Sequence, residues 1–155
     1  MRTDASSKGS YEGESRYAAH SFVQGKEWDG EDNATTGNRP DQWLSVAMLN
    51  GDAFEVNHYC LRHGWWDGGH RLRSWELQGR EGDSAGWVTL SKHANDRALA
   101  CNGFATAGWV VEGGKGSFSQ FRVLMTGPDS SGHNQLFCAG LELYGTLLPE
   151  GGVCQ

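Results

Sequence analysis

Apolar residues run along this chain in short stretches with a two-residue rhythm, and turn-forming residues separate the stretches. Phe121, Val123 and Met125 alternate with Gln120, Arg122 and Leu124, the period at which successive strand side chains take opposite faces. Strands are predicted over 42–49 (QWLSVAML, after the turn signal NRPD), 53–63 (after NGD), 72–79, 87–91 (after EGDSAG), 108–112, 117–125 and 136–145. Within 53–63, Phe54 and Val56 share a face, and then Tyr59 and Leu61 take over the apolar role. That change of phase predicts a bulge near Asn57–His58. In the last strand Phe137, Ala139, Leu141 and Leu143 are expected on one face, with Cys138, Glu142 and Tyr144 on the other. The best helical candidate, 16–23 (RYAAHSFV), is short and weakly amphipathic. Short strands without helices between them predict an all-β antiparallel sandwich or small barrel. Polar or Gly-rich residues at 1–16 and 149–155 read as flexible tails around one domain, 17–148.

Composition narrows the picture. The 155 residues suit one domain with a real core. A hydrophobic share of 37% and a charged share of 21% set the chain apart from disordered and membrane sequences. No apolar run approaches the ~20 residues of a spanning helix. The opening segment MRTDASSKGSYEGES lacks the apolar core of a signal peptide, which points to an intracellular protein. The formal net charge of −6 argues against nucleic acid, whose binding draws on clustered Lys and Arg. Cys60, Cys101, Cys138 and Cys154 form no CxxC pair and are expected to be free, largely buried thiols, Cys154 being the most exposed.

Two longer runs carry a family likeness. YCLRHGWWDGGHRLRSWELQGREGDSAGWVTLSKHANDRAL and FSQFRVLMTGPDSSGHNQLFCAGLELYGTL resemble the discoidin-like (galactose-binding-like, coagulation factor V/VIII C-type) domain. The likeness is to its intracellular branch, found in some HECT-type ubiquitin ligases and BTB-domain proteins. It is carried by Tyr59, Leu61, Arg62, His63 and Gly64, by Leu72, Arg73, Ser74 and Trp75, and by Trp87, His93 and Asp96. Gly140 to Gly145 (GLELYG) complete it, with NRPDQWLSVAM upstream. The resemblance spans roughly residues 20 to 147 and implies a jelly-roll-like β-sandwich of about eight strands. The chain departs from the pattern in its EGDSAGW hairpin and in the adjacent tryptophans of the loop Trp65–Gly69.

The chemistry-bearing residues point to binding. There is no GxSxG elbow, and no carboxylate pair stands out for glycoside chemistry, so the chain is read as no enzyme. His58, His63 and His70 come nearest to a metal cluster. Strand alternation puts His58 and His63 on opposite faces, and each histidine is expected to be structural and hydrogen-bonded. The loop WDGEDNATTG offers oxygens from Asp29, Asp32, Asn33 and Thr35. The first reading is a solvated polar loop; the alternative, implied by the resemblance, is a structural calcium there, closed by Glu142. No other cofactor is expected. Trp65 and Trp66, followed by Asp67, His70 and Arg71, form the most pointed feature, since two adjacent tryptophans on an extended loop cannot both enter the core. A ligand is expected where this loop meets the Asn95–Asp96 turn and the Asp129–Asn134 loop. The reading is a non-catalytic module with a protein partner; the alternative is a carbohydrate-binding module.

Overall fold

A computed structural model describes residues 1–6, 34–112 and 116–150. Among these residues nine strands form two antiparallel sheets. In chain order they are β1 (Arg2–Ala5), β2 (Ala34–Thr35), β3 (Trp43–Ala47), β4 (Ala53–His63), β5 (Trp75–Arg80), β6 (Val88–His93), β7 (Thr106–Val110), β8 (Gln120–Met125) and β9 (Phe137–Leu148). One sheet runs β1-β3-β8-β5-β6 and the other β2-β9-β4-β7. None of the described residues lies in a helix long and apolar enough to cross a membrane.

Alternation builds the core. Leu44 and Val46 of β3, Trp75 and Leu77 of β5, and Phe121, Val123 and Met125 of β8 point inward from the larger sheet. They meet Tyr59 and Leu61 of β4 and Leu141 of β9, all buried. Burying such side chains contributes about 1.5–3 kcal/mol each, which is what drives the two sheets together.

The bulge expected near Asn57 is present. Val56 pairs with Gly145 and His58 with Tyr144, which leaves Asn57 as the extra residue. Opposite it the backbones crowd: a Cβ on Gly145 would lie 1.8 Å from the Glu55 carbonyl oxygen, so only glycine fits. A second bulge was not foreseen. Arg62 pairs with Gly140 but His63 pairs with Cys138, so Ala139 is extra. This slip reverses the expected faces at the start of β9. Cys138 joins the core, and Phe137 turns the other way against Trp65 and His70.

Other expectations are corrected. Arg2–Ala5, placed in a tail, pairs with β3 from Arg2↔Ala47 to Ala5↔Leu44. Its sequence RTDA has no apolar rhythm, and backbone hydrogen bonds hold it. Cys60, Cys101 and Cys138 are free as expected, but Cys101 is exposed and Cys60 half-buried. Burial pushes the Cys138 thiol up to about 12, which leaves it protonated and inert. Cys154 and the helix candidate 16–23 lie outside the described residues.

Candidate functional site

Two clusters of polar and aromatic side chains stand out, one along the side of the sandwich and one at its end. The side cluster closes the seam between the edge strands β6 and β7. Trp75 Nε1 donates to the Tyr59 hydroxyl at 3.0 Å, and that hydroxyl lies 2.8 Å from His93 Nε2. His93 Nδ1 faces Asp96 Oδ2 at 2.8 Å, and Trp109 Nε1 donates to the same oxygen at 3.0 Å. With the proton on Nδ1 every donor in this chain finds an acceptor. Trp75 stacks on the His93 ring at 4.1 Å. Burial works to raise the Asp96 carboxyl, but the Ala98 N–H, His93 and Trp109 outweigh it and hold its pKa below the ordinary value.

Ser91 Oγ also lies 2.9 Å from His93 Nε2, so serine, imidazole and carboxylate stand in the order of a hydrolytic triad. Here the ring nitrogen is shared with the Tyr59 hydroxyl and the ring is covered by Trp75. The arrangement ties one sheet to the other and secures the turn after β6. Asp96, expected to face a ligand, therefore faces inward. Asn95 stays exposed on that turn, its N–H donating to Ser74 Oγ at 3.1 Å.

The end cluster forms where the chain leaves β4 and where it leaves β8. Ser130 N donates to the Arg71 carbonyl at 2.9 Å, and Arg71 N to Ser130 Oγ at 2.9 Å. His70 N donates to Ser131 Oγ at 3.1 Å, and His70 Nδ1 lies 3.0 Å from Asp129 Oδ2. Thus the 65–71 and 129–134 loops meet as expected. Trp65 lies edge-on to Phe137 at 4.8 Å and to His70 at 5.7 Å, so the second bulge supplies its seat. Trp66 is 68% exposed, which makes it the surface member of the pair. Asp67 accepts the Gly69 N–H at 2.7 Å and tightens the turn. Asn134 is half-buried, and its N–H donates to Asn38 Oδ1 at 2.8 Å.

A further segment contributes without any foreseen role. Residues 101–104 pack under the tryptophan turn: a Cβ on Gly103 would lie 2.0 Å from the Trp66 carbonyl oxygen, and one on Gly68 would lie 2.8 Å from Asn102 N. Glycine at both positions is what allows the two turns to touch. The dipeptide Asn102–Gly103 is a turn signal in the sequence, but it gives no hint of what the turn touches.

This end of the molecule holds three buried polar atoms without a partner among the described residues: Nδ1 and Nε2 of His63 and Nε of Arg71. His63 was expected to be hydrogen-bonded. It is 1% exposed, and burial first of all pushes its pKa down to about 4; the nearby Gly69 backbone and Asp129 oppose the shift, and Arg71 and His70 add to it. His58 lies on the opposite face of β4, edge-on to Tyr144 at 5.4 Å. His70 is paired through Asp129.

The oxygen cluster expected for calcium is not assembled from its described members. Thr35 pairs with Phe137, whereas Glu142 lies five residues further along β9, opposite Cys60. At about 3.3 Å per residue that is roughly 16 Å away. Glu142 instead accepts a hydrogen bond from the Tyr144 hydroxyl. Asp29, Asp32 and Asn33 lie outside the described residues.

Two facing antiparallel sheets with loops gathered at one end make this a β-sandwich. No protein-family model matches the chain. It is 30% identical over 120 residues to the E3 ubiquitin-protein ligase Ufd4 of Drosophila melanogaster; the match takes in 75% of this chain and 4% of that protein. The chain thus spans a small fraction of the curated relative it matches. Among solved structures it superposes on the F5/8 type C domain of a Bacteroides fragilis protein with a TM-score of 0.73 and 18% identity, covering 94% of this chain and 91% of that one. A Clostridium perfringens module in complex with GalNAc-β-1,3-galactose gives a TM-score of 0.69 at 14% identity, covering 92% and 94%. These likenesses bear out the sandwich fold and the discoidin-like resemblance.

Proposed function

We propose that this chain is a non-catalytic binding module of a larger intracellular protein, and that it takes a protein partner on the loop end beside Trp66. The observation that carries the reading is an exposed tryptophan on a turn that is itself held firmly. Gly68 and Gly103 lock the turn against residues 101–104, and Trp65 anchors it to Phe137. A large aromatic face presented without freedom to collapse is the usual centre of a protein interface. The likeness to a short stretch of a ubiquitin ligase supports a module working inside a larger assembly, and the free thiols suit a reducing compartment.

The second reading is a carbohydrate-binding module. It is favoured by the same exposed ring beside Asp67 and His70, and by the sugar complex of a structural neighbour. One experiment separates the two: affinity capture from lysate with mass spectrometry beside a glycan array, each run with wild type and Trp66→Ala. Proteins captured by wild type and weakened about 30-fold or more by the variant, the loss of about 2 kcal/mol typical of an interface anchor, are expected. The variant should melt with the wild type, because an exposed side chain costs little stability. Glycan signals lost in the variant, with captured proteins unaffected, would establish the second reading. No dependence on Trp66 in either assay overturns the site.

A further inference from the structure

We propose that His70, Asp129 and His133 bind one divalent transition-metal ion of the zinc class, clamping the 65–71 loop to the 126–136 loop. One ligand atom from each residue lies within 4.8 Å of the other two. The set is two imidazoles and one carboxylate, a borderline nitrogen–oxygen donor set. It suits zinc and its first-row neighbours, whereas calcium and magnesium favour oxygen ligands throughout.

Asp129 is the stronger half of the argument. Its side chain is wholly buried, and its one ion-pair partner among the described residues is His70. Oδ1 accepts the backbone N–H groups of Ser131 at 2.8 Å and His133 at 3.0 Å. Oδ2 is left to face His70 Nδ1 at 3.0 Å. A buried carboxylate that forms no ion pair with Lys or Arg among the described residues is costly unless a cation compensates it. A divalent ion held between His70 and Asp129 would supply that cation. The two N–H bonds on Oδ1 are the kind of outer support that orients a ligating carboxylate.

The histidines are held ready. His70 sits at φ +53°, a left-handed backbone that a non-glycine residue adopts at a cost and keeps only where its surroundings impose it. Its ring is wedged between Trp65 at 5.7 Å and Phe137 at 5.1 Å, and it faces the His133 ring at 5.0 Å. Ligand atoms around a tetrahedral zinc lie about 3.3 Å apart, given bonds near 2.0–2.2 Å. The 3.0 Å contact therefore needs to open by a few tenths of an ångström, and the wider separations, up to 4.8 Å, need to close by about an ångström. His133 is exposed, so the fourth position opens to solvent, as in zinc sites with three protein ligands.

This inference is independent of what binds at Trp66. To test it, the full chain is stripped with chelator and titrated with zinc sulfate by calorimetry and thermal melting, in parallel with His133→Ala and His70→Ala. Expected are one zinc per chain and a melting temperature raised by about 5 °C at saturation. Both variants should lose the rise. Because His133 is exposed, its variant should melt beside metal-free wild type, which separates a lost ligand from a lost fold. Absence of a saturable one-to-one isotherm, a rise that survives in both variants, or an equal rise with calcium chloride would overturn the proposal.

Discussion

The seam between β6 and β7 and the loop end beyond β4 are built from similar residues, yet they solve opposite problems. Each brings together tryptophan, histidine and an aspartate, half-buried in the seam and buried at the loop end. In the seam the hydrogen bonds form a closed circuit in which Trp75, Tyr59, His93, Asp96 and Trp109 satisfy one another. At the loop end the circuit is open. Among the described residues Nδ1 and Nε2 of His63 and Nε of Arg71 make no hydrogen bond, Asp129 has His70 as its one ion-pair partner, and Trp66 stands in solvent. A closed polar network rigidifies a fold, whereas an open one retains capacity for something outside the chain. The same residue types thus serve architecture in one place and recognition in the other, and partner geometry makes the difference.

Three measurements would break or sharpen this contrast. The largest effect belongs to the seam. Trp75→Ala empties a fully buried site and removes the donor to Tyr59, so urea unfolding should show a loss of about 3–5 kcal/mol. A loss under about 1 kcal/mol would mean that the seam is not structural.

The next effect belongs to the loop end and depends on pH. His63 has a folded pKa of about 4 against an ordinary 6.5. Between those values the unfolded chain takes up a proton that the folded chain refuses. Its contribution to stability is therefore complete above about pH 6.5 and is lost as pH falls toward 4, by up to about 3 kcal/mol. Unfolding free energies measured in chelator across this range should fall in that direction, and His63→Leu should flatten the slope. In that variant stability at pH 7 should hold or rise, because an apolar group replaces unsatisfied polar atoms. A slope unchanged by the substitution would place the titrating group elsewhere.

The smallest effect tests whether the seam circuit is complete. Asp96→Asn keeps the shape but offers an amide where a carboxylate accepted from His93, Trp109 and the Ala98 N–H. A loss of about 1–3 kcal/mol is expected, the cost of leaving a buried donor poorly matched. Partner binding through Trp66 should survive at temperatures where the variant is folded. If binding fails while the fold holds, the seam is part of the recognition surface and the two regions are not separate.

Local pattern carried most of the architecture. The strand predicted over 53–63 matches β4 at both ends, and the bulge at Asn57 was legible because the apolar rhythm changes phase there. Alternation in 120–125 reads directly as the inward Phe121, Val123 and Met125 of β8. The meeting of the Trp65–Arg71 and Asp129–Asn134 loops followed from the resemblance, since a sandwich gathers such loops at one end.

What the sequence could not determine is where a side chain's partner comes from. β1 is a strand only because β3 offers it a free edge. Phe137 is buried against Trp65 and His70 instead of the central core because of a bulge set by the register against Arg62 and His63. Asp96 turns inward because Trp109, on another strand, reaches it. His70 and Asp129 stand 59 residues apart in the chain and 3.0 Å apart in space. Hydrophobic periodicity is a property of neighbours along the backbone, so sequence alone determines the strands that carry an apolar rhythm and their inward faces where no bulge interrupts it. Hydrogen bonds, ion pairs and ligand sets form between residues that only sheet register and loop packing bring together, and those the tertiary structure decided.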